Sequence, residues 1–253
     1  MEPTQTPEDE LLIAEPAETE LLSTERKRWP FRLVAALLAA AMLVLAFGGI
    51  LRLLRLPPMG MLVASAQLSR SADVQNYMAS IAAVSTGNRH GTGFVLASDG
   101  RIISNAHIIE DAETVMVRLP GQQEQFASKW HANSLSDLAV LSVPTLSDGL
   151  SLELEIVPEP GDKLILIGNP YGFFRIVTEV RFAGFYEIGQ DKPPLYAVSG
   201  SIYQGHSGSP LINQEGKVVG ILFATAGQSS DPATGLVIPA QTIQRFLDEE
   251  SNK

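Results

Sequence analysis

The sequence predicts an all-β fold of two six-stranded halves, followed by a short C-terminal helix and preceded by a single transmembrane helix. From residue 77 onward, short runs of β-forming residues alternate with turn signals such as Asp99-Gly100 and Glu215-Gly216. This spacing is typical of an antiparallel barrel or sandwich. The stretch Thr145–Gly161 has two prolines and little periodicity, so it divides the strands into two sets. An uncharged apolar run near the N-terminus predicts the membrane helix.

Residues 1–30 are predicted to be a disordered acidic tail in the cytoplasm. They are rich in Pro, Thr and Glu and carry eight acidic residues. A segment of this composition cannot bury enough apolar surface to offset the entropy of ordering.

Residues 31–54 are predicted to be the transmembrane helix. No residue from Leu33 to Leu51 is charged, and a helix of this length spans about 28 Å, close to the hydrocarbon thickness of a bilayer. A soluble core helix is rarely apolar on every face. Basic residues flank the run, four before it (Arg26, Lys27, Arg28, Arg32) and two after it (Arg52, Arg55). This bias places the N-terminus in the cytoplasm and the remainder in the periplasm or another extracytoplasmic space.

A cleaved signal peptide is the competing interpretation of this region. Ala64-Ser65-Ala66 has the small-x-small form of a cleavage site. However, it lies well beyond the apolar run, and two arginines separate the two features. We therefore favour an anchor, with residues 55–76 as a linker to a domain at 77–253.

Twelve segments of that domain have the composition of strands. The first half, at about 77–144, contains Ser80–Ser85, Thr92–Leu96, Arg101–Ser104, Thr114–Leu119, Gln125–Trp130 and Leu138–Val143. The second half, at about 162–238, contains Lys163–Ile167, Ile176–Phe185, Leu195–Val198, Pro210–Ile212, Lys217–Thr225 and Gly235–Ile238. Pro239 then opens a helix at 239–250, in which Ile243, Phe246 and Leu247 share one face.

The segment Gly205-His206-Ser207-Gly208-Ser209-Pro210 has the composition of a nucleophile turn. A hydroxyl nucleophile needs backbone N–H groups directed at the developing oxyanion, and glycine permits the tight turn that directs them. Gly205 and Ser207 are the candidate oxyanion-hole donors. The side chain of His206 is expected to point away from the substrate, so we do not interpret it as a second base.

A serine nucleophile also needs a base and a carboxylate that orients the base. His107 follows a predicted strand, and Asp137 opens another one thirty residues later. Each residue alone is a weak signal, but the chain order His107, Asp137, Ser207 is the order found in chymotrypsin-like double β-barrels.

Six motifs in the same order resemble the protease domain of the HtrA/Deg family. They are Gly91–Leu96, Ser104–His107, Asp137–Leu141, Gly168–Gly172, Gly205–Pro210 and Gly235–Pro239. The resemblance covers about residues 77–250. It implies two six-stranded antiparallel barrels of trypsin-like fold with the active site between them. It also implies Ser207 as nucleophile, His107 as general base, Asp137 as the orienting carboxylate, and assembly into homotrimers.

The chain departs from the family pattern at three points. The sequence stops at Lys253, so we expect no PDZ domain after the protease domain. His206 stands where the family usually has Asn, and Ser209 stands where Gly is usual. The segment Phe173–Phe185 is also bulkier than the family's loop.

The same resemblance places a substrate pocket beside the nucleophile. In a chymotrypsin-like fold the residue six positions before the nucleophile, here Ser201, lies at the pocket floor. Ile202 and the strand around Leu222, Phe223 and Ala224 are expected to form apolar walls. A lysine or arginine would find no carboxylate there, and a buried unpaired cation is heavily penalised. We therefore expect cleavage after medium apolar residues.

Composition excludes several other classes of function. The net charge of −10 argues against a nucleic-acid partner, and the absence of cysteine excludes a thiolate nucleophile and a thiolate zinc site. His90 and His131 lack the spacing of metal ligands, so no metal or cofactor is expected.

The sequence thus predicts a serine endopeptidase that acts on envelope or unfolded proteins. The alternative is a protease-shaped scaffold or chaperone that captures chains without cleaving them. Reaction of Ser207 with a fluorophosphonate probe separates the two hypotheses.

Overall fold

The computed structural model describes residues 29–53, 58–144, 149–153, 157–189, 193–226 and 233–252. The predicted tail therefore lies outside the described residues, apart from its last two positions. The chain divides into two compact units, of which the first contains a long helix and the second contains all elements from Met59 onward.

The long helix, α1, runs over Trp29–Leu53, close to the predicted 31–54. All of its described side chains, from Arg32 to Ala46, are exposed. Within the part of the chain that the structure describes, no helix meets the length and apolarity required to cross a membrane.

The first half of the second unit is a seven-stranded antiparallel sheet rather than a closed six-stranded barrel. Its strands are β1 (Ile81–Ser85), β2 (His90–Val95), β3 (Ile102–Ser104), β4 (Met116–Arg118), β5 (Gln125–Phe126), β6 (Lys129–Asn133) and β7 (Leu138–Ser142). They are ordered β5-β4-β1-β2-β3-β7-β6. The segment Gln125–Trp130, predicted as a single strand, is divided into β5 and the start of β6. The Ala127 N–H donates to the Val115 carbonyl, whereas the next N–H, that of Ser128, donates to the Ser142 carbonyl. The chain changes partner strand at this corner, so the two edge strands of the sheet are consecutive in sequence.

The second half is a closed six-stranded barrel, as predicted. Its strands are β8 (Lys163–Gly168), β9 (Ile176–Tyr186), β10 (Leu195–Gly200), β11 (Pro210–Ile212), β12 (Val218–Ala226) and β13 (Ala233–Pro239). They close in the order β10-β13-β12-β11-β8-β9, with every neighbour antiparallel. The predicted and observed strands of this half agree to within a few residues.

Three apolar clusters hold the unit together. One lies inside the seven-stranded sheet and includes Val84 and Ile102, and another lies inside the barrel and includes Leu164 and Val180. The third contains residues of both halves, among them Phe94 from β2 and others from β8 and β12. Strands such as β8 are therefore apolar on both faces, since alternate side chains enter the barrel interior and this shared core.

Two helices occupy most of the stretch predicted as a linker. Helix α2 covers Met59–Leu68 and α3 covers Ala72–Ala79. Helix α2 packs on β9, where the buried Ser65 hydroxyl accepts a hydrogen bond from the Val177 N–H at 2.9 Å. The pairing of β9 with β10 ends at Val180, so the Val177 N–H has no partner in β10. Ser65 of α2 provides the hydrogen-bond acceptor for this N–H.

The C-terminal helix, α5, covers Ala240–Ser251 directly after Pro239. Ile243, Phe246 and Leu247 are buried, as their shared face predicted. All three belong to the core that the two halves share.

Candidate active site

His107 lies on a one-turn helix, α4 (Ala106–Ile109), which begins directly beyond β3. Asn105 precedes the helix in an extended conformation, and Ile108 and Ile109 are buried beneath it. The helix therefore has an apolar underside and presents His107 outward, with 44% of its side chain exposed.

Asp137 holds both the ring and the backbone of His107. The His107 Nδ1 lies 2.8 Å from Asp137 Oδ2, and the His107 backbone N–H donates to Oδ1 at 2.9 Å. Asp137 has a φ of 51°, a left-handed conformation that Asp tolerates better than most residues. Its carbonyl accepts from the Asn105 side-chain amide at 2.9 Å and from the Ala106 N–H at 3.2 Å. These bonds join the loop before β7 to the start of α4.

Ser207 lies in the turn between β10 and β11, alongside β2. Its carbonyl accepts from the Thr92 N–H at 2.8 Å. The neighbouring Gly91 lies between the side chain of Ile108 and the Ser207 carbonyl, so closely that a Cβ there would be 2.3 Å from Ile108. The nucleophile turn and the helix that carries His107 thus meet across β2. The Ser207 hydroxyl makes a weak bond to the Phe223 carbonyl at 3.4 Å.

The N–H groups of Gly205 and Ser207 are oriented by the carbonyl groups that share their peptide planes. In a trans peptide the C=O and N–H point in opposite directions. The Gln204 carbonyl accepts from the Tyr171 N–H at 3.0 Å, and the His206 carbonyl accepts from the Ser209 N–H at 2.9 Å. Both carbonyls are therefore held by protein donors, and the N–H groups of Gly205 and Ser207 point away from those donors.

Two glycines of the turn cannot be replaced without strain. Gly205 has a φ of 98° and Gly208 a φ of 84°, which side chains rarely permit. A Cβ on Gly208 would lie 1.8 Å from the Thr92 carbonyl oxygen, and one on Gly205 would lie 2.8 Å from the Asn169 carbonyl oxygen. The glycines let the turn sit directly against β2 and against the loop after β8.

That loop, Gly168–Gly172, forms one wall of the turn. Asn169 is buried and donates through its side-chain amide to the Ala82 carbonyl at 2.9 Å, while its Oδ1 accepts from the Arg175 N–H at 2.9 Å. Thr92 adds a second link, since its hydroxyl donates to the Gly205 carbonyl at 3.1 Å and accepts from the Asn169 N–H at 2.9 Å.

His206 and Ser209, which differ from the family pattern, are fully buried on the far side of the turn. The His206 side chain lies in the protein interior. Its Nδ1 lies 3.0 Å from the Tyr203 nitrogen, whose N–H donates to it. Burial lowers the pKa of His206 to about 4, so the imidazole is neutral at pH 7.

The residues predicted to form the substrate pocket separate into two groups. Ile202 and Leu222 belong to the apolar cluster inside the barrel and meet across Gly235, so both side chains are buried in the barrel core. Ser201, Phe223 and Ala224 are half-buried. Within β12, the register shift between Leu222 and Ala224 places Phe223 and Ala224 on the side opposite Leu222, because a bulge interrupts the alternation of side chains.

Three residues that support the site were not predicted. Thr92 and Asn105 lie inside two of the six motifs, Gly91–Leu96 and Ser104–His107, and their place in these motifs is the signal that could have identified them. Arg89 has no such signal. Its guanidinium donates to the carbonyls of His107 at 2.7 Å and Glu110 at 3.0 Å, which holds the end of α4.

Comparison with known proteins agrees with this geometry. The trypsin-like peptidase domain family matches residues 91–221, just over half of the chain. A probable periplasmic serine endoprotease of DegP-like type from Hahella chejuensis is 37% identical over 138 residues, which are 52% of this chain and 29% of that protein. The serine endoprotease DegS of Escherichia coli is 31% identical over 169 residues, 63% of this chain and 47% of that protein. The chain thus spans less than half of the length of either relative.

A solved structure supports the same relationship. The active form of the Rv3671c protease of M. tuberculosis has a TM-score of 0.62 and 26% identity, and the match covers 72% of this chain and 85% of that one. The match to the domain model shows that the chain belongs to the trypsin-like peptidase family, and within that family it is similar to the DegP-like and DegS endoproteases.

Proposed function

We propose that the protein is a serine endopeptidase that hydrolyses envelope or unfolded proteins through an acyl-enzyme. The observation that carries the proposal is the 2.8 Å contact between His107 Nδ1 and Asp137 Oδ2. The helix of His107 lies close to the Ser207 turn, since Gly91 fits between the Ile108 side chain and the Ser207 carbonyl. With Nδ1 bound to the carboxylate, Nε2 is the ring nitrogen left to act as a base.

Acylation begins when the Ser207 hydroxyl attacks the scissile carbonyl and His107 Nε2 accepts its proton. The carbonyl oxygen becomes an oxyanion, which accepts hydrogen bonds from the N–H groups of Gly205 and Ser207. Asp137 stabilises the imidazolium and keeps its N–H directed at the carboxylate. His107 then protonates the leaving amine, and the peptide bond breaks.

Deacylation repeats the same steps with water as the nucleophile. His107 accepts a proton from the water, which attacks the acyl carbon, and the second oxyanion uses the same two donors. Collapse of this intermediate returns the proton to Ser207 and releases the acid product.

A fluorophosphonate probe tests the proposal against the scaffold alternative. The full chain, purified in detergent, is expected to be labelled at Ser207 and to digest casein. A chain that binds casein but is neither labelled nor proteolytic would support the scaffold hypothesis instead.

We propose further that cleavage follows medium apolar residues such as Val, Ala, Leu and Ile. The half-buried Ser199 and Ser201 near the expected pocket floor carry no charge. A lysine or arginine would lose its hydration there without gaining a carboxylate. Discrimination among apolar residues should be modest, since one methylene is worth about 1–3 kcal/mol in such a pocket.

Mass spectrometry of cuts in unfolded casein checks this preference. Wild type is expected to cut mainly after apolar residues, and Ser201→Asp is expected to shift cuts toward Lys and Arg by at least about tenfold. A dominant preference of wild type for Lys or Arg would show that Ser201 does not form the floor.

We also propose that α1 anchors the protein in the cell membrane, with its N-terminus in the cytoplasm and the protease outside. The support is the uncharged run Leu33–Leu51 and the exposure of apolar side chains along α1, including Met42, Leu43 and Leu45. Soluble proteins rarely expose a contiguous apolar surface of this extent.

Membrane fractionation tests the anchor. Wild type is expected to resist alkaline carbonate extraction, whereas Leu38→Glu combined with Leu43→Glu should release most of the protein. A reporter that works only outside the cytoplasm should be active when fused after Lys253. Recovery of a soluble form beginning near Gln67 would favour cleavage at Ala64-Ser65-Ala66.

A further inference from the structure

His206 directly precedes the proposed nucleophile and contacts both main-chain polar groups of Tyr203. The Tyr203 N–H donates to Nδ1 at 3.0 Å, and the His206 N–H donates to the Tyr203 carbonyl at 3.2 Å. Nδ1 also lies 3.1 Å from that carbonyl oxygen, which already accepts the His206 N–H. Because the Tyr203 N–H points at Nδ1, this nitrogen is the acceptor and the ring proton lies on Nε2.

The imidazole has no room to move away from this position. Its side chain is fully buried. It lies against Gly168, where a Cβ would be 3.1 Å from Cδ2, and the Tyr203 ring covers it at a centroid distance of 6.1 Å. Within the described residues, Nε2 has no hydrogen-bond partner, so the contact with Tyr203 accounts for the ring's hydrogen bonding.

This contact closes the turn that carries the two oxyanion donors. Only Gln204 and Gly205 lie between Tyr203 and His206. Their carbonyls are bound by Tyr171 and Thr92, so the loop after β8 and strand β2 hold the middle of the turn. The bonds between His206 and Tyr203 hold its two ends together.

We infer that His206 is a positioning residue, whose imidazole Nδ1 fixes the Tyr203–Ser207 turn so that the N–H groups of Gly205 and Ser207 remain directed at the oxyanion. The inference rests on the proposed function and adds to it the residue that keeps the oxyanion hole formed. His206 does not touch the substrate and takes no part in proton transfer.

Two substitutions separate positioning from simple packing. His206→Asn keeps an acceptor, because Asn Oδ1 is placed much like His Nδ1, so kcat should stay within about tenfold of wild type. His206→Leu fills similar space but leaves the Tyr203 N–H without its acceptor. Loss of one oxyanion donor typically costs about 10²- to 10³-fold in kcat, so a comparable loss is expected, with KM nearly unchanged because the oxyanion exists only in the transition state.

The experiment measures kcat and KM of the detergent-purified full chain on a peptide substrate, together with affinity for a peptide aldehyde that forms a tetrahedral adduct. Leu should weaken aldehyde binding by at least about tenfold, and Asn should restore it. The inference is overturned if Leu retains wild-type kcat, or if folded Asn and Leu variants are equally impaired.

A measurement on the wild-type chain covers the case in which the Leu variant does not fold. The nitrogen NMR spectrum of histidine-labelled protein should show His206 with an unprotonated Nδ1 and a protonated Nε2. A proton on Nδ1 would overturn the inference even if the protease is active. Conversely, absence of hydrolysis by wild type contradicts the proposed function, while the NMR result still tests the hydrogen bond.

Discussion

Replacing Ser207 by alanine is expected to reduce kcat by roughly 10⁴- to 10⁶-fold, because nucleophile and base act as one unit. The variant lacks the oxygen that forms the acyl-enzyme, so fluorophosphonate labelling should disappear as well. Its fold should be retained. Among the described residues, the hydroxyl has only the 3.4 Å hydrogen bond to Phe223, and such a bond contributes at most about 1 kcal/mol to the free energy of unfolding.

Ser209→Ala is the matched control, since Ser209 is two residues away in the same turn. Its buried hydroxyl has no hydrogen-bond partner among the described residues, so its removal leaves no other group unpaired. Activity on casein and melting temperature should both remain close to wild type. Equal digestion of casein by wild type and Ser207→Ala would exclude Ser207 as the nucleophile.

Replacing Asp137 by asparagine is expected to reduce kcat by roughly 10⁴-fold, as the same change does in the trypsin-type triad. The carboxylate has two separate roles here, since Oδ1 accepts from the His107 backbone N–H and Oδ2 contacts Nδ1. Asparagine can satisfy the backbone donor with its oxygen, but its amide N–H₂ then faces Nδ1. The ring consequently adopts the tautomer with its proton on Nε2, which cannot accept a proton from Ser207.

Asp111→Asn is a suitable control, because Asp111 is an exposed aspartate with a similar φ of 60°. The Asp111→Asn variant should have the kcat of wild type. A loss of kcat in Asp137→Asn then cannot be attributed to placing an asparagine at a residue with left-handed backbone conformation. Circular dichroism and thermal melting should confirm that both variants fold. An Asp137→Asn variant with kcat within tenfold of wild type would rule out the orienting role.

Local sequence was sufficient to locate the strands of the closed barrel. The order of the motifs along the chain was sufficient to predict the contact between His107 and Asp137. The strands are apolar runs bounded by turn residues, and the candidate catalytic residues occur in a characteristic order along the chain. A tight turn at Gly205–Pro210 was also predictable, since Gly205 and Gly208 adopt positive φ values and make close contacts that only glycine permits.

Features that depend on distant partners could not be predicted in this way. The strand at Gln125–Trp130 divides because its two ends pair with different neighbours. Leu222 enters the barrel core while Phe223 and Ala224 both face the shared core, because a register shift in β12 interrupts the alternation of its side chains. Helix α2 lies in the predicted linker, because its small and apolar residues have no helical periodicity. Pro58 immediately precedes its first turn, and β9 provides its packing surface.

The burial of His206 has a thermodynamic consequence for the whole domain. In the unfolded chain a histidine has a pKa of 6.5, whereas burial lowers the pKa of His206 to about 4. Between these values the unfolded state binds the extra proton, so the folding equilibrium shifts toward the unfolded chain as acidity rises. The contribution of this group is fully present above pH 6.5 and is lost as the pH falls to about 4, by about 3 kcal/mol. Since small domains are stable by only about 5–15 kcal/mol, the burial of His206 makes the stability of this domain sensitive to acid.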